Sequence, residues 1–180
     1  MWEFNLVVTT ASEGRFRHLL EELRPYGDFH KTGFLGVLLG KVNDPQVFLE
    51  EVRQRREERL IAFQDLGRAV PVERTFTFGA EEFLDKVKEA IAPYIERLAG
   101  KRFYVRLERR GLKGTIVSPE VERAVDAHIE EELARREQLA HVDFEHPEAI
   151  VVIETVGDRC GVGLLTEEMI ERYRPFVRVS

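Results

Sequence analysis

Between residues 103 and 121, FYVRLERRGLKGTIVSPEV, the apolar period changes from two to about four. Phe103, Val105 and Leu107 alternate with Tyr104, Arg106 and Glu108, the pattern of a strand with one buried face. Arg109-Arg110-Gly111-Leu112-Lys113-Gly114 follows, and its two glycines tolerate backbone angles that a β-carbon penalises. Ser118-Pro119-Glu120 then predicts a helix start, with Ser118 as N-cap, Pro119 at the first helical position and an acid in the first turn. A strand, a tight turn and a helix in direct succession commit this part of the chain to an α/β layer.

The same stretch carries the sharpest charge contrast. Lys101, Arg102, Arg106, Arg109, Arg110 and Lys113 are six basic side chains within thirteen residues, opposed only by Glu108, in a chain of net charge −6. One reading is a solvated edge kept soluble by its charges. The other is phosphate recognition, because arginine offers planar bidentate hydrogen bonds and glycine lets backbone amides approach an anion. A helix N-terminus at Ser118 adds partial positive charge a few residues away. The overall acidity argues against a nonspecific polyanion binder but leaves room for a local basic patch. Tyr104 is the one aromatic beside the turn, and strand packing accounts for it.

The rest of the chain reads as two α/β modules, residues 1–78 and 79–180. In the first, residues 4–9 form a buried strand and Ser12-Glu13 opens a helix with Phe16, Leu19, Leu20, Leu23 and Tyr26 on one face. Residues 28–42 are β-like and glycine-punctuated, either a hairpin broken at Thr32-Gly33 or one bent strand. Asp44 caps a helix that buries Phe48, Leu49 and Val52, and residues 69–78 close the module as a strand. That order predicts a ferredoxin-like sandwich. In the second, residues 81–99 carry Leu84, Val87, Ile91, Tyr94, Ile95 and Leu98 at helical spacing, ended by Gly100. Val121, Val125, Ile129 and Leu133 mark the next helix, residues 142–144 a short strand and residues 149–155 a central one. Residues 157–163 turn the chain into a further strand, and Thr166-Glu167-Glu168 begins a last helix.

Composition bounds the function. No apolar run reaches the roughly 18–20 residues that span a bilayer, and no signal-peptide pattern is seen, so no membrane association is expected. The single cysteine, Cys160, excludes an intrachain disulfide and fits a cytoplasmic protein, with no base beside it to make a nucleophile. The segment Arg159-Cys160-Gly161-Val162-Gly163 is one residue short of an acetyl-CoA loop and reads as a hairpin. Neither a dinucleotide fingerprint nor a Walker sequence is present, so no cofactor is expected. His18, His30, His128, His141 and His146 are scattered without metal-ligand spacing, and no metal is expected. Glu130-Glu131-Glu132 reads as a solvated helix face.

The order of residues 103–114, then Ser118-Pro119-Glu120-Val121-Glu122, then residues 142–154 (VDFEHPEAIVVIE) resembles the THUMP domain, over roughly residues 81–165. The opening Asn5-Leu6-Val7-Val8-Thr9-Thr10 is similar to the start of archaeal and eukaryotic THUMP proteins that assist tRNA cytidine acetylation. The resemblance implies a ferredoxin-like module followed by a THUMP domain with a mixed sheet and flanking helices. It further implies a non-catalytic tRNA-binding adaptor that presents tRNA to a separate modifying enzyme, a cytidine acetyltransferase, with no residues left for a catalytic domain and no DNA partner. Lys101, Arg102, Arg106, Arg109, Arg110 and Lys113 would contact phosphate, Gly111 and Gly114 would shape the turn, and Ser118 would cap the helix beside it. Arg15, Arg17 and His18 would extend the footprint. The competing expectation is a ferredoxin-like regulatory or oligomerisation module that binds a small ligand at residues 32–40 or 157–163.

Overall fold

A computed structural model describes residues 2–11 and 15–180. The chain divides into two compact units, Met1–Val72 with Met169–Arg178, and Glu73–Glu168 with Val179–Ser180. Each has its own sheet.

In the first unit, strand β1 (Leu6–Thr10), helix α1 (Phe16–Leu23), strands β2 (Gly27–Lys31) and β3 (Val37–Val42), helix α2 (Pro45–Glu58) and strand β4 (Leu66–Pro71) follow one another. The sheet order is β2-β3-β1-β4 with every neighbouring pair antiparallel. Each helix therefore links two strands that are parallel to each other and separated by a third, which is the ferredoxin-like arrangement. Leu19, Leu23, Phe48, Leu49 and Val52 are fully buried beneath it, each contributing roughly 1.5–3 kcal/mol. The Phe29 ring lies 6.2 Å from Phe48 and occupies the space a side chain at Gly40 would need. Asp44 Oδ1 accepts from the amides of Gln46 and Val47 at 2.9 and 3.3 Å, the expected cap, with Pro45 starting the helix. Of the two readings of residues 28–42, the hairpin is the one formed. The helix start expected at Ser12-Glu13 lies outside the described residues.

The second unit contains strand β5 (Arg74–Thr77), helix α3 (Phe83–Ile95), strand β6 (Arg102–Glu108), helix α4 (Ser118–Arg135) and strands β7 (His141–Val142), β8 (Ala149–Val156) and β9 (Arg159–Thr166). Its sheet runs β5-β9-β8-β6-β7, with β6 parallel to β7 and β8 and the other pairs antiparallel. All eight residues of β8 are buried, as its unbroken β-branched run requires of a central strand. Phe103, Val105, Leu107, Val151, Ile153 and Val162 join Val87, Ile91, Tyr94 and Ile95 of α3 and Val125, Ile129 and Leu133 of α4 in one core. Helix α5 (Glu167–Arg172) follows β9.

The single strand expected over residues 69–78 is two strands in two sheets. The Val72 amide donates to Asn5 O at 3.0 Å, whereas the next amide, of Glu73, donates to Val162 O at 2.8 Å. Successive amides of an extended chain point to opposite sides, so one apolar run can serve two sheets. Residues 157–163 form the expected tight hairpin: Val156 faces Arg159 across Gly157-Asp158, and Gly157 takes φ +63°. Gly161 and Gly163 lie inside β9, paired with Glu154 and Val152.

Candidate nucleic-acid interface

Strand β6 is bound on its outer edge by β7 only at Arg102 and Phe103. Further along, α4 takes over the pairing: Glu122 Oε1 accepts from the Leu107 amide at 3.3 Å, and Asp126, one helical turn on, faces the Val105 amide. Burial pushes the Asp126 carboxyl up to about 7, with Glu130 and Glu122 adding to the shift and the Val105 amide opposing it. Two acids at i and i+4 beside the apolar positions were the only sequence signal for this role.

The six cations do not converge. Lys101 and Arg102 lie at the start of β6 and Arg109, Arg110 and Lys113 beyond its end, which separates the two groups by about 20 Å at a rise of roughly 3.3 Å per residue. Arg102 pairs with Glu148 through Nε and Nη2 at 3.1 and 3.0 Å. Arg106 lies over the Tyr104 ring, 5.5 Å from its centre. Arg109 donates to the carbonyl of Gly111 inside its own loop. Lys101 and Lys113 are exposed and form no ion pair among the described residues.

Arg110 is placed differently from the rest. Its Nη1 meets Glu154 Oε2 at 2.6 Å, with the arginine side chain 12% exposed and the glutamate 0%. The Arg110 amide donates to Thr155 Oγ1 at 3.0 Å, and its carbonyl accepts from Gly157 at 2.9 Å. Backbone and side chain thus fasten the loop to the end of β8. The rest of the loop is shaped by left-handed residues Gly111, Leu112 and Gly114 at φ +92°, +53° and +83°. The amides of Thr115 and Ile116 both close on the Leu112 carbonyl.

Ser118 is the first helical residue and not the cap. Val117 is the N-cap, with φ −106° and ψ 107°, and no side chain bonds the helix end. The amides of Glu120 and Val121 both donate to Val117 O at 3.1 Å, and Pro119 has no amide hydrogen. With the Glu120 and Val121 amides occupied and Pro119 lacking one, only the Ser118 amide of the first turn is left to meet an anion.

Phe144 was not singled out by sequence reasoning. It is 61% exposed and stacks 5.2 Å from Tyr104, the ring that Arg106 also covers. Its local signal is only an aromatic between Asp143 and Glu145. Asp143 itself is structural, accepting from the amides of Glu145 and His146, which lower its pKa. Cys160 is fully buried, and burial raises its thiol pKa well above the usual value. In the first unit Arg15 and Arg17 are exposed, and His18 is held by Asp65 at 2.8 Å. No helix among the described residues is long and apolar enough to cross a membrane.

A mixed sheet backed by two helices, with a glycine-shaped basic loop following β6, defines an α/β domain. Residues 79–165 match the family model of the THUMP domain, and this segment is a THUMP domain. The fold recurs in PH1313 from Pyrococcus horikoshii, with a TM-score of 0.60, 13% identity, and coverage of 89% of this chain and 54% of that one. TrmN from Thermus thermophilus gives a TM-score of 0.62 at 23% identity, covering 90% of this chain and 46% of its own. A 4-thiouridine synthetase solved with RNA and ATP gives 0.56 at 13%, covering 91% and 41%. The chain spans about half the length of these proteins. No curated protein sequence matches it.

Proposed function

We propose that this chain is a tRNA-binding module that presents tRNA to a separate modification enzyme, a cytidine acetyltransferase, without performing chemistry itself. The observation that carries the reading is a THUMP segment on which Lys101, Arg109 and Lys113 keep their charge outside ion pairs among the described residues. The recurrence of the fold in a 4-thiouridine synthetase–RNA complex supports RNA as the ligand. Arg109 and Lys113 contact phosphate at one end of β6 and Lys101 at the other, about 20 Å apart, so the two groups reach phosphates several nucleotides apart. Phe144, with Tyr104 and Arg106 behind it, offers a stacking surface for an unpaired base. The burial of Cys160 supports a non-catalytic role for the only thiol. The opening residues 5–10 support the acetylation branch through their resemblance to its adaptors.

The test is fluorescence anisotropy with tRNA, an acceptor-stem hairpin and a length-matched duplex across a salt series. tRNA binds preferentially, and affinity falls with salt. Arg109→Glu with Lys113→Glu weakens binding and flattens the log–log salt slope by about two. Unchanged affinity in the double variant removes the loop from the interface. Added to an RNA cytidine acetyltransferase, the chain raises tRNA acetylation; no stimulation removes that partner.

A further inference from the structure

His18, Glu22 and Asp65 form a cluster in the first unit, outside the THUMP segment of residues 79–165. His18 and Glu22 lie one turn apart on α1, and Asp65 comes from the turn before β4. His18 Nδ1 is 2.8 Å from Asp65 Oδ2 and 3.3 Å from Glu22 Oε1, and all three ligand atoms lie within 4.8 Å of one another. Side-chain exposures of 41, 21 and 13% keep the cluster reachable from solvent while the two acids stay mostly covered.

The Glu22 carboxylate and the Asp65 backbone are held in place from behind. Glu22 Oε2 accepts from the Phe63 amide at 2.9 Å, and Phe63 adopts a left-handed φ of +52° that a bulky residue rarely takes. Its ring is buried. The Asp65 carbonyl accepts from Ala11 at 2.7 Å, and Leu66 closes on Phe63 O at 3.1 Å. With Oε2 occupied, Glu22 Oε1 is sealed from solvent and has no hydrogen-bond partner. A buried carboxylate oxygen left so costs free energy unless a cation meets it.

We propose that His18 Nδ1, Glu22 Oε1 and Asp65 Oδ2 bind one divalent first-row transition ion, with zinc as its representative. Ligands about 2.1 Å from a tetrahedral ion sit roughly 3.4 Å from one another, so the His18–Glu22 and His18–Asp65 separations of 3.3 and 2.8 Å need adjust by only tenths of an ångström. One imidazole nitrogen with two carboxylates suits zinc or its neighbours over magnesium or calcium, which prefer all-oxygen shells. The ion replaces the proton shared between His18 and Asp65 and ties α1 to the segment entering β4; water completes its coordination. Arg55 and Arg59 line the adjoining cleft of about 300 Å³, so binding rests on direct coordination and not on diffuse negative charge.

The test is calorimetric titration of the EDTA-stripped full chain with zinc chloride, and separately magnesium chloride, in high salt at pH 7.5. Zinc binds one to one, magnesium gives no saturable heat, and zinc raises the melting temperature. Asp65→Asn and His18→Ala each weaken zinc binding at least about tenfold, while His146→Ala binds as the parent does. Should His18→Ala misfold, the near-isosteric Asp65→Asn decides. Absence of saturable zinc binding, or unchanged binding in Asp65→Asn, overturns the proposal.

Discussion

Replacing Arg110 with alanine separates a structural arginine from an RNA-contacting one. The change removes a 2.6 Å ion pair whose carboxylate partner, Glu154, is 0% exposed. Breaking one side of a buried pair costs about 3–5 kcal/mol because a charge is left behind in a poorly solvating place. Glu154 keeps other interactions, and Arg110 itself is slightly exposed, so the lower end, about 3 kcal/mol, is expected. For a chain of this length that lowers the melting temperature by about 6–12 °C. The backbone bonds of residue 110 to Thr155 and Gly157 survive the substitution, so the loop stays docked below the transition. tRNA affinity measured at 20 °C therefore changes less than about twofold, a shift under 0.5 kcal/mol. Removing both charges in Arg110→Met with Glu154→Gln recovers part of the lost stability, since no uncompensated charge is then left in a poorly solvating place. Thermal melts by circular dichroism and anisotropy with tRNA read the two quantities side by side. An Arg110→Ala protein that melts like the parent yet loses tRNA binding would falsify this division of labour and return Arg110 to the interface.

Two further outcomes follow from local electrostatics and capping. Asp126 has its pKa raised from 3.8 to about 7, so the folded state holds a proton that the unfolded state releases, and the associated stability is lost as pH rises from about 4 through 7. Asp126→Asn therefore melts higher than the parent at pH 8, with the difference closing toward pH 4; a constant offset across that range would show that titration is not the cause. Asp44→Ala removes the side-chain acceptor for the Gln46 and Val47 amides and costs about 1 kcal/mol in urea unfolding, while Asp44→Ser costs little. Equal losses in both variants would mean that the cap contributes nothing.

Much of the architecture was legible in the residues taken locally. The spacing of Leu84, Val87, Ile91 and Tyr94, the Asp44-Pro45 helix start, the β-branched run of β8 and the Gly157 hairpin are each written in contiguous residues. Period, capping and left-handed turns depend on neighbours along the chain. The resemblance to a THUMP domain was carried by such segments in their order, and the family match over residues 79–165 agrees with it. What the linear order could not decide was which polar group meets which. Six cations close together in sequence were spread along a strand, and Arg110 was claimed by a glutamate 44 residues away. Ser118 lost its cap to Val117, the run through residues 69–78 was shared between two sheets, and Asp126 and Glu122 became substitutes for a missing strand. His18 met Asp65 across 47 residues. A charged side chain has little preference for a distant partner until burial raises the cost of leaving it unpaired. The chain's own periodicities therefore determined its elements and their class, whereas only the tertiary packing that buries Glu154 and brings Asp65 to His18 decided which charges hold the fold and which remain for a ligand.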